Sequence, residues 1–182
     1  MSQYQKIGVV GAGTMGAGIA QLAASFGHSV VLFDVVDGAA DEAVSRIAAG
    51  LDRLVARGKK TQTYRDTCVE NIQVATSLAA FKDCGLVIEA IVEGLDIKHE
   101  LFKQLEAIVD TSTVLASNTS SISITAIANT TQNPKRVVGM HFFNPAPVMK
   151  LVEVIAGLKT DSSVAKSIYD LAESWGKQPI LA

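Results

Sequence analysis

Residues 7–16 read Ile7-Gly8-Val9-Val10-Gly11-Ala12-Gly13-Thr14-Met15-Gly16. Four apolar positions run directly into a glycine-x-glycine-x-x-glycine turn. A strand, a glycine-rich turn and a helix start in that order form a cradle for a pyrophosphate. Gly11 permits the tight turn, Gly13 lets a phosphate approach bare backbone, and Gly16 lets the helix pack close to the strand. Ala12, Thr14 and Met15 fill the turn between them. The helix start then offers free N–H groups and the positive end of its dipole to the anion.

The turn alone is a weak signal, and the next segment of chain strengthens it. Ser29-Val30-Val31-Leu32-Phe33 reads as a second strand closed by Asp34, 18 positions after Gly16. That gap fits one helix and one strand. A carboxylate there accepts hydrogen bonds from both adenosine-ribose hydroxyls and repels a 2′-phosphate, which favours NAD over NADP. The plainer alternative is a polar residue closing a strand.

Alternation continues along the chain. Helices are expected at 14–26, 39–57, 62–69, 96–109, 123–129 and 162–175. Strands are expected at 72–75, 85–88, 114–116, 136–140, 151–155 and, as a fragment, 179–181. Ala43, Ile47, Leu51, Leu54 and Val55 recur at helical spacing, as do Ile97, Leu101, Leu105 and Ile108. Such a pattern implies an α/β fold of Rossmann type: a doubly wound, mostly parallel sheet with helices on both faces.

The 182 residues suit one domain with a real core. Hydrophobic residues make up 48% and mean hydropathy is +0.29, a globular composition. A net charge of −2 gives no bulk electrostatic reason to expect a nucleic-acid or membrane partner. Cys68 and Cys84 have no metal-ligand spacing and read as reduced residues of a cytosolic or organelle-matrix protein, the cytoplasmic location being the one expected here. Lys6 followed by the apolar stretch 7–24 resembles a signal peptide, but its glycines fall in the phosphate-turn register, so it reads as folded structure.

Ligands of doubly wound sheets gather at the carboxyl ends of the strands. Asp34, Glu89, Glu93, the run 117–121 and the run 141–145 all follow strands on that edge. Oxidation of an alcohol by NAD needs a base for the hydroxyl proton. Of three histidines, His28 lies on the wrong edge and His99 reads as a solvated helix residue. His141 lies at a strand's carboxyl end, in a loop with two aromatics and a proline. Glu153, within Leu151-Val152-Glu153-Val154-Ile155, needs a partner to offset its desolvation. A Glu153–His141 pair supplies one, and it would fix the imidazole tautomer. Ser120 and Asn118 are candidate donors to a substrate oxygen or to the nicotinamide amide. One of the neighbouring serines serves equally well as a helix N-cap. Glu93 and Lys98, five apart, read either as a surface ion pair or as contacts to the nicotinamide ribose.

Together, GAGTMGAGIA at 11–20, Glu89-Ala90-Ile91-Val92-Glu93, Ser117-Asn118-Thr119-Ser120-Ser121, Gly139-Met140-His141-Phe142-Phe143-Asn144-Pro145 and Leu151-Val152-Glu153-Val154 resemble the L-3-hydroxyacyl-CoA dehydrogenase family over essentially the whole chain. The resemblance implies oxidation of a 3-hydroxyacyl-CoA to a 3-ketoacyl-CoA in fatty-acid or aromatic-acid degradation. It implies His141 as base, Glu153 as its partner and Ser120 near the substrate oxygen. It further implies NAD contacts from Asp34, Glu93, Lys98, Ser120 and Asn144. Arg53, Arg57, Lys59 and Lys60 are candidates for pairing with CoA phosphates, or else form a solvated helix end. Gly50 stands where the family commonly has serine.

Family members carry a second, all-helical domain that completes the substrate pocket and forms a dimer. The resemblance therefore implies that residues 1–182 are the NAD-binding domain alone, able to hold NAD but poor at turnover. Two other readings compete: a Rossmann dehydrogenase of a free hydroxy acid or sugar acid, and a non-catalytic NAD-binding module.

Overall fold

The computed structural model describes residues 3–182. Its strands are β1 (Lys6–Val10), β2 (Ser29–Phe33), β3 (Ile72–Val74), β4 (Leu86–Glu89), β5 (Val114–Ser117), β6 (Val137–Phe142), β7 (Leu151–Ala156) and β8 (Gln178–Leu181). Its helices are α1 (Thr14–Ser25), α2 (Ala39–Ala56), α3 (Gln62–Glu70), α4 (Leu95–Ile108), α5 (Ile124–Ala128) and α6 (Ser162–Ser174). Short 3-10 turns at Leu78–Phe81 and Pro134–Arg136 complete the chain. The second of these takes Arg136 out of the sixth strand, and that strand extends through Phe142, so His141 is a strand residue and not a loop residue.

One sheet orders the strands β3-β2-β1-β4-β5-β6-β7-β8. The first six are parallel, β7 runs antiparallel to β6, and β8 is parallel to β7. The order reverses between β1 and β4, which opens a crevice at their carboxyl ends.

Both faces of the sheet are buried, so strand residues alternate between two apolar layers. Ile7, Val9, Leu32, Ile88, Met140 and Val154 face α1, α2 and α6. Val10, Val31, Val87, Leu115 and Val137 face α4, α5 and Phe81. Each fully buried aliphatic side chain contributes about 1.5–3 kcal/mol. Pleat alternation therefore puts His141 and Glu153 on the α4–α5 side.

On α4 the buried stripe is Lys98, Leu101, Phe102 and Leu105. Ile97, expected on that face, is half exposed at 52%. The stripe is rotated by one residue because a lysine occupies it. Cys68 and Cys84 are unpaired, and burial pushes both thiols up to about 11. Among the described residues, no helix is long and apolar enough to cross a membrane.

Candidate active site

The three turn glycines have three different surroundings. A side chain at Gly11, where φ is +102°, would lie 2.5 Å from the Ala90 carbonyl oxygen. At Gly16 it would lie 1.7 Å from Gly11 O, so the start of α1 is pressed against the turn. At Gly13 nothing lies within 4 Å. The backbone is thus crowded where strand and helix must meet and open where an anion would approach. Gly13 gives α1 no side-chain cap, and the first turn, which includes Thr14 and Met15, holds no acidic residue. Its N–H groups are left available to an anion.

Asp34 holds this turn in place. Its Oδ2 accepts from Ala12 N–H at 2.7 Å and its Oδ1 from Val36 N–H at 2.8 Å. A cavity of about 160 Å³ opens beside it, lined by Asp34, Val36, Gly38, Asp41, Ala75 and Thr76 among others. An open phosphate cradle, uncapped helical N–H groups and a carboxylate at the end of β2 fit an adenine dinucleotide with a free 2′-hydroxyl.

The middle of the crevice is charged and buried. Lys98 is fully buried and donates to Glu89 Oε1 and Oε2 at 2.6 and 2.8 Å. Its contact with Glu93 is longer, 3.4 Å. The Glu93–Lys98 ion pair does form, but its lysine is buried and Glu89, at the end of β4, is the nearer partner. Ser117 Oγ also donates to Glu89 Oε1. Glu93 in turn accepts from Thr119 Oγ1 at 2.7 Å. The network ties the loop after β4 to the loop after β5, and its three charges sum to −1.

At the far end, His141 and Glu153 face each other across the antiparallel pair β6–β7. Nδ1 lies 2.8 Å from Glu153 Oε2. A carboxylate only accepts, so Nδ1 carries the proton, and in the neutral ring Nε2 presents its lone pair. Among the described residues, Nε2 has no protein partner. The ring leans on Phe143, with centroids 4.6 Å apart.

Asn118 Oδ1 accepts from Phe142 N–H at 2.8 Å, binding the β5 loop to the end of β6. Its amide oxygen is therefore occupied, and only the NH₂ group is left to donate. Ser120 is exposed and lines a cavity of about 240 Å³ with Ile122, Ile155 and Gly157. Ile155 shares a β7 face with Glu153, so that cavity opens on the His141 side. Asn144 is exposed in the loop after β6.

The remaining polar residues sort themselves by place. His99 is not solvated: it is half-buried, and Nε2 meets Ala126 O at 2.7 Å. Arg53, Arg57, Lys59 and Lys60 are exposed at the distal end of α2. At 1.5 Å per residue, Arg53 lies about 20 Å along the helix from Ala40, so the fold does not bring this group to the glycine turn. Three other polar contacts become visible only in the folded chain. Glu89 anchors Lys98, Arg46 reaches Ala12 O at 3.2 Å, and the buried Lys177 ammonium donates to Ala146 O and Met149 O at 2.6 and 2.7 Å. Lys177 thereby clamps the loop after His141.

Residues 6–182 match the family described as 3-hydroxyacyl-CoA dehydrogenase, NAD binding domain. The chain belongs to this family. It is an NAD-binding domain of the 3-hydroxyacyl-CoA dehydrogenase type. The chain is 48% identical over 180 residues to 3-hydroxyadipyl-CoA dehydrogenase of Escherichia coli, covering 99% of this chain and 38% of that protein. It is 45% identical over 179 residues to human mitochondrial hydroxyacyl-coenzyme A dehydrogenase, covering 94% and 57%. The solved structure of (S)-3-hydroxybutyryl-CoA dehydrogenase from Ralstonia eutropha superposes with a TM-score of 0.95 at 43% identity, covering 98% and 63%. The chain thus spans between 38% and 63% of these relatives.

Proposed function

We propose that this domain supplies the NAD site and the acid–base pair for oxidising a 3-hydroxyacyl-CoA to the 3-ketoacyl-CoA. The observation that carries the reading is the His141–Glu153 hydrogen bond of 2.8 Å beside an unoccupied ring nitrogen, on the sheet edge that carries the glycine turn. Bound NAD supplies the hydride acceptor.

His141 Nε2 takes the proton of the substrate's 3-hydroxyl as the carbinol C–H bond breaks. Glu153 holds the ring in the tautomer that leaves Nε2 basic, and it stabilises the imidazolium that results. In the reverse direction the same nitrogen returns the proton. Ser120, on the cavity wall of the same sheet face, donates to the substrate oxygen. Asn118 and Asn144 donate from the loops after β5 and β6 toward the nicotinamide side. Asp34 takes the adenosine ribose, and the uncapped start of α1 takes the pyrophosphate. Glu93 and Lys98 lie at the crevice, where the nicotinamide ribose is expected. Arg53, Arg57 and Lys60 are left for the CoA end, at a distance from the reacting atoms.

The test is His141→Gln in a protein of the relatives' length. Turnover of 3-hydroxybutyryl-CoA is expected to fall about 10³-fold, within the range typical of a lost general base. NADH affinity, read by fluorescence titration, is expected to stay within about twofold, because the glycine turn and Asp34 are untouched. Preserved turnover would remove His141 from the reaction. A second arm offers free 3-hydroxybutyrate in place of the CoA ester. Equal turnover of the two would defeat the acyl-CoA reading.

A further inference from the structure

The phosphate cradle is built from neutral N–H groups, yet a pyrophosphate carries negative charge. The nearby side chains make that charge harder to hold: Asp34 touches the turn, and Asp37 and Asp41 line the cavity beside it. No basic residue stands in the glycine turn or at the start of α1. The cation that reaches this place comes from α2. Arg46 is exposed, and its Nη2 donates to Ala12 O at 3.2 Å.

That choice of partner is informative. Glu42 precedes Arg46 by one helical turn, the spacing at which a helix commonly forms a surface ion pair. Among the described residues, no carboxylate lies within ion-pair distance of the Arg46 guanidinium. The side chain instead extends to the middle residue of the Gly11-Ala12-Gly13 turn. It spends one of its five donors on a neutral carbonyl, which a phosphate oxygen outcompetes as an acceptor.

We propose that Arg46 is a cofactor-binding residue: with NAD present, its guanidinium pairs with the pyrophosphate held at the glycine turn. Ala12 would then be steadied by Asp34 through its N–H alone. The inference rests on NAD occupying the turn. The chemistry recognised is a phosphate, and an acyl-CoA also carries phosphates. Contact with Ala12 assigns the residue to the dinucleotide.

The test compares the wild-type chain with Arg46→Gln, which keeps a hydrogen-bond donor and loses the charge. Titrations use NADH, ADP-ribose, adenosine and CoA, with adenosine followed by ligand-observed NMR. Affinity for NADH and ADP-ribose is expected to fall about tenfold, the scale of a charge-assisted hydrogen bond. Adenosine and CoA are expected to bind both chains alike. In 1 M salt, where the screening length is about 3 Å, the gap between the chains is expected to narrow. A parallel loss for adenosine would mean that Arg46 only shapes the turn, and would overturn the proposal. A loss for CoA with none for NADH would overturn it in favour of the acyl-CoA. Equal NADH affinity of the two chains overturns it alone. A wild-type chain that fails to bind NADH overturns the underlying reading as well.

Discussion

His28 and His141 each hold Nδ1 against an oxygen at hydrogen-bond distance, 2.6 Å to Tyr4 O for the first and 2.8 Å to Glu153 Oε2 for the second. They differ at the other nitrogen. His28 Nε2 accepts from Trp175 Nε1 at 2.8 Å, which closes a buried chain from Tyr4 through the imidazole to the indole. His141 Nε2 has no such partner among the described residues. The two sites also differ in place. His28 precedes β2 on the amino edge, while His141 lies next to the last residue of β6 on the carboxyl edge, where the glycine turn lies. An imidazole with both nitrogens engaged is a structural connector. In the function proposed above, one with an acid behind it and an open lone pair in front is the proton acceptor.

The contrast fails if the two residues can exchange roles under mutation. The largest effect is the loss of turnover in His141→Gln, about 4 kcal/mol when 10³-fold is converted at 1.36 kcal/mol per decade. Next is His28→Ala. It strands the buried Trp175 N–H and leaves a cavity, so unfolding free energy by urea titration is expected to drop by about 3 kcal/mol. NADH affinity of the folded variant is expected to be unchanged. A variant that keeps its stability would show that the Tyr4–His28–Trp175 chain is incidental. Glu153→Gln comes third. The amide oxygen still accepts from Nδ1–H, but the countercharge to an imidazolium is gone. Turnover is expected to fall about 100-fold with stability within about 1 kcal/mol. A larger stability loss than turnover loss would make Glu153 a structural residue like those around His28.

Trp175 complicates the separation in a useful way. Its ring stacks on Phe142, the neighbour of His141, with centroids 6.3 Å apart. If His28→Ala slowed turnover by more than about tenfold while binding NADH normally, the two edges would be coupled through Trp175 and Phe142, and the contrast would need redrawing.

The two regions also differ in how far the sequence reveals them. The glycine turn and Asp34 are legible because their requirements are local: three glycines, one strand, one acid at a fixed offset. His141 and Glu153 are legible because a carboxylate inside the apolar run 151–155 demands a partner. The antiparallel turn-back that makes them cross-strand neighbours has no comparable signal, and by its letters β7 reads equally well as another parallel strand. Lys98 reads either as half of a surface ion pair with Glu93 or as a ribose contact, because lysine usually sits at the surface. Its true address is the face it shares with Leu101 and Leu105, and burial is tolerable only because Glu89 ends β4 beside it. Glu89 reads from the sequence as an acid on the ligand edge, but its partners Lys98 and Ser117 emerge only in the fold. His99, Arg46 and Lys177 share a harder problem. Each donates to, or meets, a backbone carbonyl from a distant segment, and a carbonyl belongs to every residue type. No pattern of letters marks Ala126, Ala12 or Ala146 as the acceptor.

The smallest effect separates the regions by pH. Burial pushes the His28 imidazole below its ordinary value of 6.5, partly offset by the bond to Tyr4 O. Protonation would also turn Nε2 into a donor facing the Trp175 N–H, so the folded chain resists it. The unfolded chain takes up the proton near 6.5. Between that value and the lower folded one, the unfolded state binds more protons, so stability rises with pH. On acidification, the contribution of His28 is fully present above pH 6.5, shrinks as pH falls below it, and stops changing once the folded imidazole is also protonated. The advantage of wild type over His28→Ala in urea titrations is therefore expected to be larger at pH 7.5 than at pH 5.5. Carboxylates such as Glu106, where burial pushes upward but hydrogen bonds from Gln132, Asn133 and Arg136 together outweigh it and hold the group below its usual range, lose their contribution only in more acidic solution. An advantage that stayed flat, or grew on acidification, would mean that His28 is charged in the fold. The Trp175 N–H would then need another acceptor, and His28 would no longer differ from His141 in having both ring nitrogens engaged.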